Sequence, residues 1–141
     1  MLERGIYELL NQTSGITSLL ATQPSGEPCL FIDFQIKGTS KPSVVMQVSY
    51  TSDVYSSDGA NNLRFKRIQF DSYSDEDALT AIAVSDAVRN LFKSYRGTLP
   101  DGTVVKGSIV QRDQSMPVEL AAKVSVVYRR LLEIEFQYID S

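Results

Sequence analysis

Apolar residues recur at helical spacing in two parts of the chain. Residues 2–10 and 16–20 each place their large aliphatic side chains on one side, which predicts two short helices in tandem. Residues 75–95 repeat the pattern over a longer span, next to Ser74 and Asp77 at the spacing of a capping box. These signals predict one long helix, and the small residues in its first half suit packing against a sheet.

Alternation of apolar and polar residues predicts strands in most of the remaining segments. Residues 119–127 mix helix and strand signals, so their structure stays open at this point. Hairpin-joined strands on both sides of one long helix predict an α+β domain. We expect an antiparallel sheet of about four to five strands, with the long helix and the short N-terminal helices packed on it. The predicted strands cover residues 29–36, 44–50, 64–73, 103–112 and 128–139.

Residues 51–63 lack a clear alternating pattern. They are rich in serine, threonine, aspartate, asparagine and glycine, and they contain no lysine or arginine. This composition predicts a long surface loop, the kind of segment in which contact sites often lie. A hairpin tip without a special function is the alternative. If the loop is functional, its candidate contact residues are Asp53, Tyr55, Asp58, Asn61 and Asn62.

The composition excludes several kinds of chemistry. The 141 residues suit a single domain over residues 1–141, and they include no histidine and one cysteine, Cys29. Histidine-based catalysis, zinc sites that need imidazole and an internal disulfide are therefore excluded. We expect no catalytic residue, no cofactor and no metal, and hence a binding or structural protein rather than an enzyme. Four aspartates could supply a carboxylate pair, although no local spacing selects two of them: Asp33, Asp71, Asp101 and Asp113.

The charge is close to balance, with 14 basic and 17 acidic residues and a net charge of −3. A nucleic-acid-binding domain normally has a basic surplus, so that class is disfavoured. Arg64, Lys66 and Arg67 form the densest basic cluster, which is either a solvated strand face or a face toward another subunit. No apolar run approaches the length of a membrane span, and the first residues lack the pattern of a signal peptide. We therefore expect no membrane partner and synthesis in a cytoplasm.

Several segments, in their order along the chain, share features with one family of structural proteins. A proline introduces the strand within residues 41–48, and the strand at residues 64–73 leads directly into an alanine-rich helix. That helix ends in a segment of the type Val-Arg-x-x-Phe at residues 88–92, and the last strand begins at Tyr128. In this order the chain resembles the tail-completion, or tail-terminator, proteins of long-tailed phages and prophages.

The resemblance implies a ring, usually a hexamer, at the head-proximal end of a phage tail tube. Such a ring stops tube polymerisation and joins the tail to the head, without catalysis. Its partners would be further copies of itself, the tail tube protein and the head-closure or connector protein, with DNA only passing through the lumen. The protein would then be part of the virion neck, assembled in the host cytoplasm.

The resemblance also suggests roles for the two candidate sites. A loop without basic residues suits a lumen through which DNA must slide, so residues 51–63 would face that lumen or the last ring of the tube. Arg64, Lys66 and Arg67 would form a strand face toward the neighbouring subunit, at a head-to-tail contact of the ring.

Other interpretations stay open. One is a different neck or tail layer, such as a head-closure or tube protein. Another is a cytoplasmic ligand-binding domain whose pocket lies between the sheet and the long helix. That domain would be a monomer or dimer with a sizeable apolar cavity. An enzyme that uses carboxylates is a third interpretation, which the sequence barely supports.

Overall fold

A computed structural model describes residues 1–33, 41–56, 59–116, 119–121 and 125–139 of the chain. Three helices lie among them, namely α1 (Leu2–Gln12), α2 (Ser14–Thr17) and α3 (Ala78–Phe92). Two short helices are therefore present at the start, although α2 spans residues 14–17 rather than the predicted 16–20. The strands of the described residues are β1 (Leu30–Ile32), β2 (Ser43–Ser56), β3 (Gly59–Ser74), β4 (Gly97–Thr98), β5 (Val104–Ser115), β6 (Glu119–Ala121) and β7 (Ser125–Ile139).

All of these strands belong to one curled sheet in the order β1-β2-β3-β7-β5-β4, with β6 paired to β7. β1 runs parallel to β2, and the other described pairings are antiparallel. The prediction of a smaller, fully antiparallel sheet with a long helix is therefore wrong, since strands hold 48% of the chain and the helices are short. β1 lies within the strand predicted over residues 29–36, of which residues 34–36 are outside the described part of the chain. Sequence alternation cannot reveal β4 and β6, because two or three residues are too few to show a period.

Of the segment predicted as a loop, residues 51–56 belong to β2 and residues 59–63 to β3, while residues 57 and 58 lie outside the described part of the chain. Strand pairing continues through Tyr55 opposite Ala60 to Ser56 opposite Gly59, so the prediction of a loop is wrong. Serine- and asparagine-rich residues form strand here because strand propensity reflects fit and pairing more than composition. Antiparallel strands are joined by hydrogen bonds between backbone groups, which every non-proline residue carries.

The segment with mixed signals, residues 119–127, is also strand where the structure describes it. Glu119 of β6 lies opposite Val127 of β7, and the pairing continues to Ala121 opposite Ser125. β5 pairs with the later part of β7, from Ser115 opposite Arg130 onward. The last strand is consequently longer than the predicted span of residues 128–139.

α3 is shorter than predicted, and its N-cap is Asp77 rather than Ser74. The Asp77 carboxylate accepts hydrogen bonds from the backbone N–H of Thr80 at 2.7 Å and from its hydroxyl at 2.8 Å, and these bonds lower the pKa of Asp77. Ser74 is buried, and its hydroxyl accepts a bond from the Glu76 N–H at 3.2 Å. Ser74 therefore shapes the turn before the helix. At the other end, the backbone of Lys93 is already extended.

α1 and α3 cover one face of the sheet, and the hydrophobic core lies beneath them. The Phe92 ring of α3 stacks on Phe70 of β3 with 5.9 Å between centroids, and it meets Phe136 of β7 edge-on at 5.3 Å. Aromatic pairs at these distances add to the stabilisation that burial provides. Other large side chains of this core are Leu2, Ile6, Leu10, Met46, Ile68, Leu132, Ile134 and Tyr138.

Polar contacts fix both helices on the sheet. The Ser108 hydroxyl of β5 donates to the carbonyl of Phe92 and accepts from the N–H of Tyr95 at 2.7 Å, which satisfies backbone groups at the end of α3. Lys66 of β3 donates to the Glu3 carboxylate of α1 at 2.5 Å. Burial alone would lower the pKa of Lys66, but the hydrogen bond and charge of Glu3 outweigh it and raise that pKa.

Gly5 of α1 provides a test of how closely this helix packs. A Cβ at this position would collide with the Asp101 carboxylate and lie 2.9 Å from Cβ of Leu99. We therefore predict that Gly5→Ala lowers the free energy of unfolding by about 1–3 kcal/mol, although alanine normally favours a helix interior by about 1 kcal/mol.

The control for this substitution is Gly15→Ala in α2, where an added Cβ has no neighbouring atom within 4 Å. It should leave the free energy of unfolding unchanged or raise it slightly. Urea unfolding followed by circular dichroism measures both variants. A Gly5→Ala variant that is as stable as the parent protein would contradict the close packing of α1.

Candidate functional site

The aspartates considered as a carboxylate pair do not form one site. Asp33 is exposed at the end of β1, whereas the other three take part in ion pairs. In the part of the chain that the structure describes, no group of three His, Cys, Asp or Glu side chains could hold a metal ion. The ion pairs are Asp71 with Arg129, Asp101 with the amino group of Met1, and Asp113 with Arg89 and Arg130. No helix among the described residues has the length and apolar character needed to cross a membrane.

The three residues of the basic cluster do not share one face of the sheet. Lys66 lies on the same side as α1, where its side chain is 19% exposed and bound to Glu3. Arg67 points the opposite way, with its guanidinium 5.3 Å from the centroid of the Tyr50 ring. Arg64 lies opposite Asp53 in the β2–β3 pairing. This separation follows from strand geometry, because adjacent side chains point to opposite faces. A role of these residues at a subunit contact stays a prediction.

The candidate residues of the predicted loop lie at the far end of the β2–β3 hairpin. Asp53 and Tyr55 are in β2, Asn61 and Asn62 are in β3, and Asp58 lies outside the described residues. β3 pairs with β7 from Arg64 onward, opposite Tyr138. We call residues 54–56 and 59–63 the hairpin arm. Because the β3–β7 pairing begins only at residue 64, the arm extends past the part of the sheet that β7 supports.

A polar network lies on the sheet face opposite α1 and α3. Asp71 of β3 is 2% exposed, and two nitrogens of the Arg129 guanidinium each lie 3.0 Å from its carboxylate. Gln69 also donates to Asp71, at 2.9 Å. Beside them, the Ser49 hydroxyl of β2 donates to the Glu133 carboxylate of β7 at 2.8 Å. Charge-assisted hydrogen bonds of this kind are the stronger ones in proteins, and here they connect β2, β3 and β7.

The outermost strands, β1 and β4, are so short that they leave most of the outer side of β2 and β5 uncovered. β1 pairs only with Val44–Met46 of β2, and β4 pairs only with Val104 and Val105 of β5. Among the described strands, none pairs with the remainder of these two sides. We call residues 47–56 of β2 and 106–115 of β5 the free edges. A free edge presents unpaired N–H and C=O groups, and monomeric proteins normally shorten, bend or cover such edges.

Exposed apolar side chains lie at both free edges. Val48 and Tyr50 of β2 are 38% and 51% exposed, and Ile109 of β5 is 54% exposed. At the end of β1, next to the β2 edge, Ile32 is 36% exposed. Single exposed apolar residues are ordinary on protein surfaces, but here they coincide with backbone that no described strand pairs with. The combination indicates surfaces suited to contact with another chain.

The β5 edge differs from the β2 edge in charge. Lys106 and Arg96 line a cavity of about 220 Å³ beside β5, together with Ile109 and Gln137. Arg112, further along the same edge, is exposed. Over residues 47–56 the β2 edge contains one acidic residue, Asp53, and no basic residue. Asp113, the acidic residue of the β5 edge, is bound to Arg89 and Arg130. The exposed charges of this edge, Lys106 and Arg112, are therefore opposite in sign to Asp53 of the β2 edge.

Sequence reasoning predicted β2 and β5 as strands but did not identify their edges as a site. The position of a strand within a sheet depends on pairing between residues far apart in the chain, such as Thr98 with Val104 and Ile109 with Glu135. Local alternation contains no information on that pairing. The one available signal was the apolar residue on a strand face that otherwise carries polar side chains, as at Ile109.

No protein-family model matches the chain, and neither does any curated protein. Solved structures do match, among them a chain in the virion of a native gene transfer agent (GTA) particle. The alignment covers 99% of this chain and 95% of that chain, with a TM-score of 0.74 and 15% sequence identity. At this identity, the similarity establishes a shared fold.

The buried pair of Asp71 and Arg129 gives a test of the polar network. Asp71→Ala would leave the Arg129 guanidinium without this carboxylate, and we predict a loss of about 3–5 kcal/mol in the free energy of unfolding. Glu8→Ala is the matched control, because it removes an ion pair with Arg4 whose side chain is 73% exposed.

The control should change the free energy of unfolding by less than about 1 kcal/mol, as is usual for exposed pairs. Chemical denaturation of both variants measures the difference. If Asp71→Ala cost no more than Glu8→Ala, the polar network would not be holding the strands together.

Proposed function

We propose that this protein is a structural component of a phage-like virion, where it forms a ring at the head-proximal end of the tail tube. The ring ends tube polymerisation and joins the tail to the head connector. The observation that carries the proposal is the fold shared over 99% of the chain with a component of a GTA virion. The segment order that resembles tail-terminator proteins supports a place at the end of the tail.

The two free edges support assembly with further copies of the chain. They lie on opposite sides of the sheet and differ in charge, so one copy can offer its β5 edge to the β2 edge of the next. Contacts between two different surfaces are heterologous, and they generate a closed ring when the rotation between copies closes. A two-fold dimer would instead require one surface to match itself.

The hairpin arm is the proposed contact with the tube or the lumen. The predicted contact segment, residues 51–63, includes this arm together with Asp53 and Asp58, and it contains no basic side chain. DNA binds proteins mainly through cationic side chains on its phosphates, so such a segment would let DNA pass without being held. The tail tube protein and the head-closure or connector protein are the remaining proposed partners.

Deletion of the gene in a particle-producing cell tests the proposed function. We predict tail tubes of uncontrolled length that are not joined to heads, because nothing stops polymerisation or forms the joint. Negative-stain electron microscopy measures the tube lengths, and expression of the intact gene from a plasmid is the control.

The same experiment separates the alternative of another neck or tail layer, which the shared fold also supports. Loss of a head-closure protein would leave tails of normal length beside leaking heads. Loss of a tube protein would leave no tubes. Either result would contradict a role in tail termination.

Shortening the hairpin tests the role of its arm. Replacement of residues 54–61 by a two-residue turn leaves the β3–β7 pairing from Arg64 onward in place, so we predict a folded protein with unchanged thermal stability. Tail length or head joining should nevertheless be disturbed.

The matched control is replacement of the exposed Leu79 on α3 by alanine, which should affect neither property. Complementation of the deletion strain with each variant provides the readout. Normal tails and normal joining with the shortened hairpin would exclude the arm as a contact.

A further inference from the structure

The register of the sheet connects the two free edges through rows of directly opposed residues. Tyr50 of β2 lies opposite Arg67 of β3, Arg67 lies opposite Glu135 of β7, and Glu135 lies opposite Ile109 of β5. We call this set the central row. It has an exposed apolar residue at each end, with Tyr50 at 51% and Ile109 at 54% exposure. Opposed residues in a row share one face of the sheet, so both ends point to the same side.

The direction of the strands permits the same row to continue into a second copy. β2, β3, β7 and β5 are neighbours in this order, and each pair is antiparallel. β5 therefore runs opposite to β2. If a second copy is placed beside the first in the same orientation, its β2 is antiparallel to the β5 that it meets. An isologous pairing of β5 with β5 would need a two-fold axis and would not lead to a ring.

We infer that the β5 edge of one copy pairs, antiparallel, with the β2 edge of the next copy, so that Ile109 lies on the same face as Tyr50 and within one two-residue step of it. The inference rests on the proposed ring and names its subunit contact. The joint covers two exposed apolar side chains together with edge backbone that no described strand pairs with. In an antiparallel pair the opposed side chains are near neighbours, so Tyr50 and Ile109 would shield each other from water.

Charges at the neighbouring rows agree with this placement. A second row of opposed residues begins at Asp53 of β2 and continues through Arg64 and Tyr138. It ends at Val105 of β5, the residue before Lys106. Because Gly97 of β4 pairs with the outer side of Val105, Asp53 reaches the end of the free β5 edge in the joint, next to the exposed Lys106 of the other copy. The opposite charges favour this order of the two edges and disfavour pairing of the basic β5 edge with itself.

The permitted register is restricted by the two faces of the sheet. A shift by one residue would turn Tyr50 and Ile109 to opposite faces, so only steps of two are compatible with the joint. A closed barrel-like ring needs tilted strands and hence a stagger between copies. Such a stagger would move Ile109 from Tyr50 to the next residues on the same face, Gln47 or Ser52.

Disulfide cross-linking of the full chain tests the joint. Three double variants are made, each with both cysteines in the same chain. They combine Ile109→Cys with Tyr50→Cys, with Gln47→Cys or with Ser52→Cys. Residues opposed in an antiparallel pair lie within the distance that a disulfide spans. After mild oxidation, at least one of the combinations should shift from monomer to a ladder of covalent multimers on a non-reducing gel, and thermal melting checks that each variant is folded.

The controls distinguish the joint from chance oxidation. Each single variant should stay monomeric, whereas a mixture of the Tyr50→Cys and Ile109→Cys chains should give a cross-linked pair if that register is used. Ile109→Cys with Leu79→Cys is the matched control, because Leu79 is 74% exposed but lies on α3. It should give no ladder.

Three results would overturn the inference. The first is a covalent dimer of the Ile109→Cys single variant alone, which would indicate that the β5 edge pairs with itself. The second is a closed multimer in native mass spectrometry while none of the three double variants cross-links. This result would show a ring whose copies meet through another contact. The third is the absence of any multimer or ladder at high concentration. The proposed function is decided separately, by the tube lengths in the deletion strain.

Discussion

The constraint on which this account depends is hydrogen bonding by the backbone N–H and C=O groups at the outer edges of β2 and β5. β1 and β4 each cover only two or three residues of their neighbours, and no other described strand pairs with the outer sides of β2 and β5. A strand edge of this length favours pairing with another chain. The helices do not change this, because they cover a face of the sheet rather than its sides.

The remaining structure keeps the two edges in a fixed relation to each other. The aromatic core around Phe92 holds α3 on one face, while Asp71 and Arg129 connect the strands on the other. Lys66 and Glu3 fasten α1 to the middle of the sheet. A rigid sheet with preformed edges loses little conformational freedom on association, which favours a ring built from many identical joints.

Local sequence patterns were sufficient where the structure depends on residues close together in the chain, as in α1 and in the last strand. They failed where pairing between distant residues decides. Residues 51–63 look like a loop by composition, yet backbone pairing makes residues 51–56 and 59–63 strand. Lys66 and Arg67 are adjacent and basic, yet the sheet separates them onto two faces. Likewise, nothing in the local sequence connects Tyr50 with Ile109, because their relation exists only through the register of the central row.

Electron cryo-microscopy of the assembled particle tests the central claim most directly, because it locates every copy of the chain together with its contacts. It should show a closed ring of this protein between the tail tube and the head, with β5 of each copy hydrogen-bonded to β2 of the next. A map that places the chain in another layer, or a ring whose copies meet through their helices while both free edges stay in water, would contradict it.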